Sequence, residues 1–335
     1  MKKKYLLFCV LILSMVLTAC SFSRIPRAKV TFKVMDYEGA PIANEPLLLN
    51  FSFIDGYYGK TDENGYFTGS GRATKDYIFT IGYRSDRYYK SVFRKKIAHW
   101  ENKPITGRWK PWNETIEVVV KERKNPISMY AVNHIAGQLK VPAQGKWLGY
   151  DFEQYDWLQP HGEGKVADIE VYFTTEYYDK GWRRHFLKLR FPYPQAGAYV
   201  MQKDHVSELK SIYHADKNQV YQQEFSFYGP VVKDRASFVE DYRDGQHEKK
   251  TVTKDEYLIF RTRTRVDKDG NLIGARYGKI YGPISCYSLP SLNADKIGLA
   301  YYLNPNINDT NLEFNGRTLV DTTKFERDVD RKILP

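Results

Sequence analysis

The feature that most limits the fold of this 335-residue chain is a repeated alternation of apolar and polar residues. It occurs at Val30–Val34, Thr115–Lys121, Asp168–Phe173 and Arg184–Phe191. A period of two places every second side chain on one face of a β-strand, so each segment predicts a half-buried strand. Turn-forming residues such as Thr61–Gly65 separate these runs, whereas helical periodicity is scarce. The pattern therefore predicts an all-β protein.

The composition agrees with a folded β-protein. The chain contains 27 Tyr, 18 Phe and 6 Trp, and aromatic side chains favour the pleated surface of a sheet. With 42% hydrophobic and 27% charged residues, it has enough apolar surface for a core, which excludes a disordered chain. Its length predicts two domains. The net charge is +11, or +8 without the three lysines of residues 1–19, which favours anionic partners such as lipid head groups or acidic glycans. Because acidic residues are interspersed with the basic ones, a mixed solvated surface is the commoner explanation.

The first twenty residues have the pattern of an exported, lipid-modified protein. Lys2–Lys4 are basic, and Tyr5–Leu17 form an apolar run that is too short to span a bilayer. The run closes with Leu17–Cys20, which resembles the lipobox of bacterial lipoproteins. This resemblance implies cleavage before Cys20 and a diacylglyceryl group on its thiol, the alternative being an ordinary secretory signal. Ser21, where Asp would signal retention, implies the outer membrane if the host has one.

Three segments carry a resemblance to a second family. They are Val34–Ile42, Thr61–Phe67 and Tyr77–Tyr83, and they follow one another in the order typical of the carboxypeptidase regulatory-like domain. That family implies a small immunoglobulin- or transthyretin-like β-sandwich at 29–122. The polar and aromatic stretch Trp100–Trp112 departs from the pattern. The resemblance implies little about activity, because the module usually accompanies another domain.

We expect four parts of the chain. They are a signal peptide at 1–19, a tether at 20–28, the β-sandwich at 29–122 and a domain of unknown function at 126–335. The charged run at 121–126, which ends in a proline, marks the boundary between the two domains. The second domain is expected to be antiparallel and β-rich, with few short helices, for which Asp234–Tyr242 and the tail from Thr323 are candidates. Segments such as Tyr301–Pro305 resemble uncharacterised bacterial lipoproteins, which implies no activity.

One loop has the composition of a binding site. Asp156, Trp157, His161 and Glu163 lie among glycines, and binding residues concentrate on loops. They are our candidate binding residues. The simpler interpretation, which we favour, is a polar loop whose glycines form turns and whose tryptophan packs on the core. Carboxylates of this region, Asp168 included, are also the type of group that hydrolyses glycosides.

Four arginines suggest a second candidate surface. Arg261, Arg263 and Arg265 have the period-two spacing of one strand face, and Arg276 lies on the predicted partner strand beyond the turn at Asp267–Asn271. Such a stripe could bind phosphate or an acidic glycan. A solvated face with cross-strand Asp or Glu partners is the interpretation we favour.

Metal and cofactor chemistry is not expected. The chain has no Cys-x-x-Cys or His-Glu-x-x-His motif, no phosphate-binding glycine loop and no dinucleotide fingerprint. A single His-x-x-Glu at His205–Glu208 is too short to indicate a zinc peptidase. Cys286 would be the one thiol left beside Cys20, and we expect it to be buried and inert. Nucleic acid is not an expected partner of an exported, tethered protein.

The sequence thus predicts a membrane-anchored surface or periplasmic lipoprotein. We expect a non-catalytic binding or structural module of the cell envelope, with an envelope polysaccharide or protein as its partner. The alternative is an envelope polysaccharide hydrolase that uses carboxylates of the region 151–170.

Overall fold

The protein is described by a computed structural model that covers most of the chain. The described residues are 26–51, 55–73, 77–83, 87–89, 92–96, 107–133, 139–179, 182–202, 213–233, 256–289 and 294–325. Within them, regular structure is almost entirely β-strand, which confirms the predicted all-β fold. The described start of the expected tail helix contains a 3-10 turn at Thr322–Lys324, and residues 326–335 lie outside the described residues. None of the described residues forms a helix long and apolar enough to cross a membrane.

Several predicted features lie outside the described residues. They are the signal peptide at 1–19, Cys20, most of the tether at 20–28, His205–Glu208 and the helix at Asp234–Tyr242.

The described residues divide into two compact units, one ending at Glu122 and the other beginning at Arg123. The strands of the first unit are β1 (Arg27–Met35), β2 (Pro46–Phe51), β3 (Asp55–Lys60), β4 (Tyr66–Arg72), β5 (Tyr77–Tyr83), β6 (Val92–Lys96) and β7 (Glu114–Val119). Those of the second are β8 (Ile127–Asn133), β9 (Leu139–Val141), β10 (Trp147–Asp151), β11 (Asp156–Trp157), β12 (Ile169–Tyr178), β13 (Trp182–Arg190), β14 (Gly197–Gln202), β15 (Glu224–Lys233), β16 (Glu256–Val266), β17 (Leu272–Leu289), β18 (Ala294–Leu303) and β19 (Phe314–Thr318).

The first unit is a β-sandwich. A three-stranded sheet in the order β4-β1-β7 faces a four-stranded sheet in the order β3-β2-β5-β6, and β1 pairs with β7 in parallel. Buried residues of both sheets, among them Phe32, Leu49, Phe51 and Phe67, form the core. Gly71 lets the sheets approach, because a Cβ there would lie only 2.3 Å from Cδ2 of Phe51.

The second unit also consists of two sheets. One has the order β11-β10-β12-β13-β15, and the other has the order β14-β16-β17-β18-β8-β19 with β9 beside β18. The predicted alternation of β12 is confirmed, since Ile169, Val171 and Phe173 are fully buried in the core formed by the two sheets. The pairs are antiparallel as expected, apart from β19, which runs parallel to β8.

The larger sheet is buried on its second face as well. A separate cluster there contains Met129, Tyr257, Tyr277, Tyr302 and Phe314. Because the strands of this sheet are covered on both faces, many tyrosines of this unit are buried. The same coverage explains why the apolar pattern of β16–β18 is more continuous than a simple alternation.

Candidate functional site

The candidate loop joins β10 to β12 and is held together by one carboxylate. Asp151 is almost completely buried at the end of β10. Its Oδ1 accepts hydrogen bonds from the backbone N–H groups of Glu153 and Gln154, at 2.9 and 3.1 Å. Its Oδ2 accepts from those of Lys165 and Val166, at 3.0 and 3.1 Å. A single side chain therefore fastens the two ends of the loop to each other.

Arg263 of β16 links the loop to the larger sheet. Its Nε donates to Oδ1 of Asp168 at 2.8 Å, and its Nη2 donates to Oδ2 of the same carboxylate at 2.7 Å. The same Nη2 donates to Asp151 at 3.0 Å, and Nη1 lies 2.9 Å from Glu153. We call these four residues, together with Arg276, which also pairs with Glu153, the carboxylate clamp. Three buried or half-buried carboxylates are thus compensated by two guanidinium groups.

The clamp depends on an irregularity in β16. The register with β17 shifts between Thr262 and Arg265, and Arg263 has a φ of +49°, in the left-handed region. A bulge of this kind re-aims the side chain of the residue it contains. The predicted stripe is accordingly divided, because Arg261 lies 4.0 Å over the ring of Tyr221 while Arg263 faces the loop. The carboxylate partners of Arg263 and Arg276 come from the loop, whereas a cross-strand origin was expected.

Burial changes the protonation of one member of the carboxylate clamp, Asp168. Desolvation raises the pKa of Asp168 to about 6, against the opposing effect of the hydrogen bonds and charge of Arg263. The neighbouring Asp151 acts in the same direction as burial, since two carboxylates near each other disfavour ionisation. Asp168 therefore takes up a proton at a higher pH than an exposed aspartate.

The four predicted binding residues all lie in this loop, where the side chains of two of them, Asp156 and Trp157, are used to shape it. Asp156 accepts hydrogen bonds from the N–H groups of Trp157 and Glu163, both at 2.8 Å. Trp157 is only 6% exposed, and its Nε1 donates to the carbonyl of Lys140 at 2.9 Å. The tryptophan therefore packs in the core, as the simpler interpretation expects.

The other two candidate residues are more exposed than Trp157, although Nε2 of His161 is itself buried. The side chain of Glu163 is exposed, and His161 is half-buried. Within the described part of the chain, Nε2 of His161 has no hydrogen-bond partner. Among the same residues, no cluster of three His, Cys, Asp or Glu side chains could hold a metal ion.

A second surface, which the sequence analysis missed, borders the loop. On the outer face of the five-stranded sheet, the rings of Trp147 and Tyr172 lie 5.6 Å apart, and Arg190 lies 4.2 Å over the indole. Arg190 also donates to Glu170 at 2.7 Å, and Lys188 occupies the position opposite Tyr172. We call these five residues the aromatic face. The sequence signal for these five residues was their spacing, since in β10, β12 and β13 they alternate with core residues.

Comparison with known proteins identifies no family. No family model matches the chain, and no curated protein matches it. One solved structure with some similarity is that of invasin, a bacterial integrin-binding protein, at 12% identity and a TM-score of 0.15. The alignment covers 84% of this chain and 55% of the invasin chain, so this chain spans about half of that protein's length. A likeness at this level carries no argument.

Proposed function

We propose that the protein is a membrane-anchored lipoprotein of the cell envelope that binds or organises envelope components without catalysing a reaction. The anchoring part of the proposal rests on the basic, apolar and lipobox segments that end at Cys20. A host with two membranes would carry it in the outer one, by the same resemblance.

The non-catalytic part rests on one observation, the internal use of the loop's carboxylates. Hydrolysis of a glycoside requires two carboxyl groups that face the substrate, about 5–10 Å apart. Here Asp168 is fully buried against Arg263, and both oxygens of Asp151 accept hydrogen bonds from the loop's own backbone. Asp156 holds the turn at Glu163 in the same way. These contacts favour a structural role for the loop.

The aromatic face is the surface we assign to the ligand, and an envelope polysaccharide is the ligand whose chemistry it fits. Sugar rings present C–H groups that pack on Trp and Tyr, while their hydroxyl groups hydrogen-bond to charged side chains. Trp147 and Tyr172 supply the rings, and Lys188 and Glu170 supply the polar groups. The loop borders this face, because Leu158 and Ala167 lie over Gly149 of β10.

Retention on purified envelope polysaccharides tests this assignment. The double variant Trp147→Ala/Tyr172→Ala should weaken retention about tenfold, because each aromatic contact contributes about 0.5–1.5 kcal/mol beyond its area. Tyr177→Ala is the matched control. This tyrosine belongs to the same strand as Tyr172, is 75% exposed and lies outside the aromatic face. Equal retention of both variants, or no retention of the wild type on any envelope polymer, would exclude the aromatic face as a polysaccharide site.

A further inference from the structure

The outer face of the three-stranded sheet in the first unit is basic. In β1 the residues at 28, 30, 32 and 34 enter the core, so the alternate residues Arg27 and Lys29 point outwards. Arg72 of β4 lies directly opposite Arg27, and the two are on the same side of the sheet. Both arginines are exposed, and Lys29 is half-buried.

The segment 107–113 adds an arginine and a tryptophan beside this sheet. It runs along β1, where Arg27 donates to the carbonyl of Gly107 and Asn113 donates to that of Lys29, both at 2.9 Å. Arg108 is exposed and lies 4.9 Å from the ring centre of Trp112, which is itself 40% exposed. We call Arg27, Lys29, Arg72, Arg108 and Trp112 the basic face.

Most of the positive charge of the basic face is uncompensated. Among the described residues, Arg27, Lys29 and Arg108 form no ion pair. Arg72 does pair, with Asp55 at 2.8 Å. The neighbouring Lys33 pairs with Glu117 at 3.1 Å. Arg27 does donate to Ser70 at 3.3 Å, and its charge helps to lower the pKa of Asp55. Within the described part of the chain, three cations without an ion pair thus remain beside an exposed indole.

We propose that the basic face docks on an anionic phospholipid surface. Lysine and arginine are attracted to anionic head groups, and tryptophan prefers the depth at which head groups meet acyl chains. The location supports this partner and rests on the proposed function. Cys20 precedes Arg27 by seven positions, and seven residues span at most about 25 Å when fully extended. A lipid on Cys20 would therefore keep the basic face within reach of the bilayer.

A fluorescent probe on the three-stranded sheet distinguishes docking of the basic face from anchoring by the lipid on Cys20. The lipidated full-length protein is reconstituted in vesicles with and without about 30% phosphatidylglycerol, which supplies the anionic surface. A fluorophore is attached at Thr115→Cys, an exposed outward position of β7, while Cys286 is buried. Quenching by lipids with a nitroxide head group reports contact with the surface. We expect quenching only in the anionic vesicles, and we expect it to disappear at about 0.5 M salt, where surface charges are screened.

Charge variants identify the surface that makes the contact. Arg27→Glu/Lys29→Glu/Arg108→Glu should lower the docked fraction at least about tenfold, since each cation near an anionic surface adds to the affinity. The matched control is Lys146→Glu/Lys165→Glu/Lys268→Glu, three exposed lysines of the second unit, which should dock as the wild type does. Circular dichroism verifies that both triple variants fold. Equal quenching in neutral vesicles, or equal loss in both triple variants, would overturn the proposal.

The anchor is tested separately by flotation of the vesicles at about 0.5 M salt, because docking is then screened. A protein that floats without quenching disproves docking and leaves the anchor in place. A protein that does not float disproves the anchor, and docking is then measured by sedimentation with anionic vesicles at low salt. Displacement of the docked protein by a soluble acidic polysaccharide, with no preference for anionic lipid, would assign the basic face to glycans and overturn the proposal.

Discussion

At the scale of single residues, Arg263 holds two buried carboxylates of the second unit. Its guanidinium compensates Asp168 and Asp151, both of which are buried. Removal of one partner from a buried ion pair costs about 3–5 kcal/mol, because the remaining charge is left without compensation. We therefore expect Arg263→Met to lower the free energy of unfolding by about this amount. Urea unfolding measures the change.

Arg265→Met is the matched control, because this arginine lies two positions further along the same strand and is exposed. It should change the free energy of unfolding by less than about 0.5 kcal/mol. If the two variants are equally stable, the carboxylate clamp contributes nothing to the fold.

Asp168 predicts a specific pH dependence. Its pKa is about 6 in the folded protein and 3.8 in an exposed aspartate, so the folded state binds more protons between these values. The resulting stabilisation is fully present below about pH 4 and is lost as the pH rises through about 6. Asp168→Asn should remove this part of the pH dependence while keeping an acceptor for the N–H of Phe152. Unfolding measured from pH 4 to pH 7 tests this, and parallel curves for variant and wild type would contradict it.

Cys20 predicts a chemical modification. Cys20→Ala should leave the signal at 1–19 attached and the protein without lipid, because the thiol is the group that accepts the diacylglyceryl chain. A lasting hold on the membrane requires more than one acyl chain. Mass spectrometry of the mature protein measures both features. A mature N-terminus elsewhere, or an unmodified thiol on Cys20, would exclude the lipoprotein assignment.

At the scale of elements, the strands follow from local patterns and the site does not. The burial of Ile169, Val171 and Phe173 was predictable, because alternation depends only on neighbouring residues. The position of Arg263 was not, because the bulge in β16 is defined by its register with β17. Trp147 was missed for a related reason, since its neighbours Arg190 and Tyr172 come from other strands.

Glycines in β4 allow the two sheets of the first unit to pack closely. At Gly71, an added Cβ would lie 2.3 Å from Phe51. Gly71→Ala should therefore lower the free energy of unfolding by about 1–3 kcal/mol, the cost of overpacking a core. Ser70→Ala, at the neighbouring outward position, should cost less than about 1 kcal/mol as the control. Thermal unfolding distinguishes them, and equal melting temperatures would show that the sheets can separate without cost.

At the scale of the whole molecule, the start of the second unit is tied to its C-terminal part. Glu313 is buried and accepts hydrogen bonds from the N–H groups of Lys124 and Asn125, at 3.1 and 2.5 Å. Backbone that is held in this way resists proteases. The predicted boundary at 122–126 should therefore be cut slowly by trypsin after Lys124. Glu313→Ala should accelerate that cut, and Glu163→Ala, at an exposed position, should not. Rapid cleavage of the wild type at this site would contradict the role of Glu313.

The position of β8 in the larger sheet determines when the second unit can be completed during synthesis. This strand, the first of its unit, lies between β18 and β19, and Ala131 bonds to Thr318, 187 residues further along the chain. Pairing over such separations is slow, because a long loop must close before any contact forms. A chain that is made from its N-terminus therefore carries β8 without its neighbours in the sheet until nearly the whole polypeptide has been synthesised. During that interval both edges of β8 are unpaired, and an unpaired strand edge can pair with another chain unless it is protected.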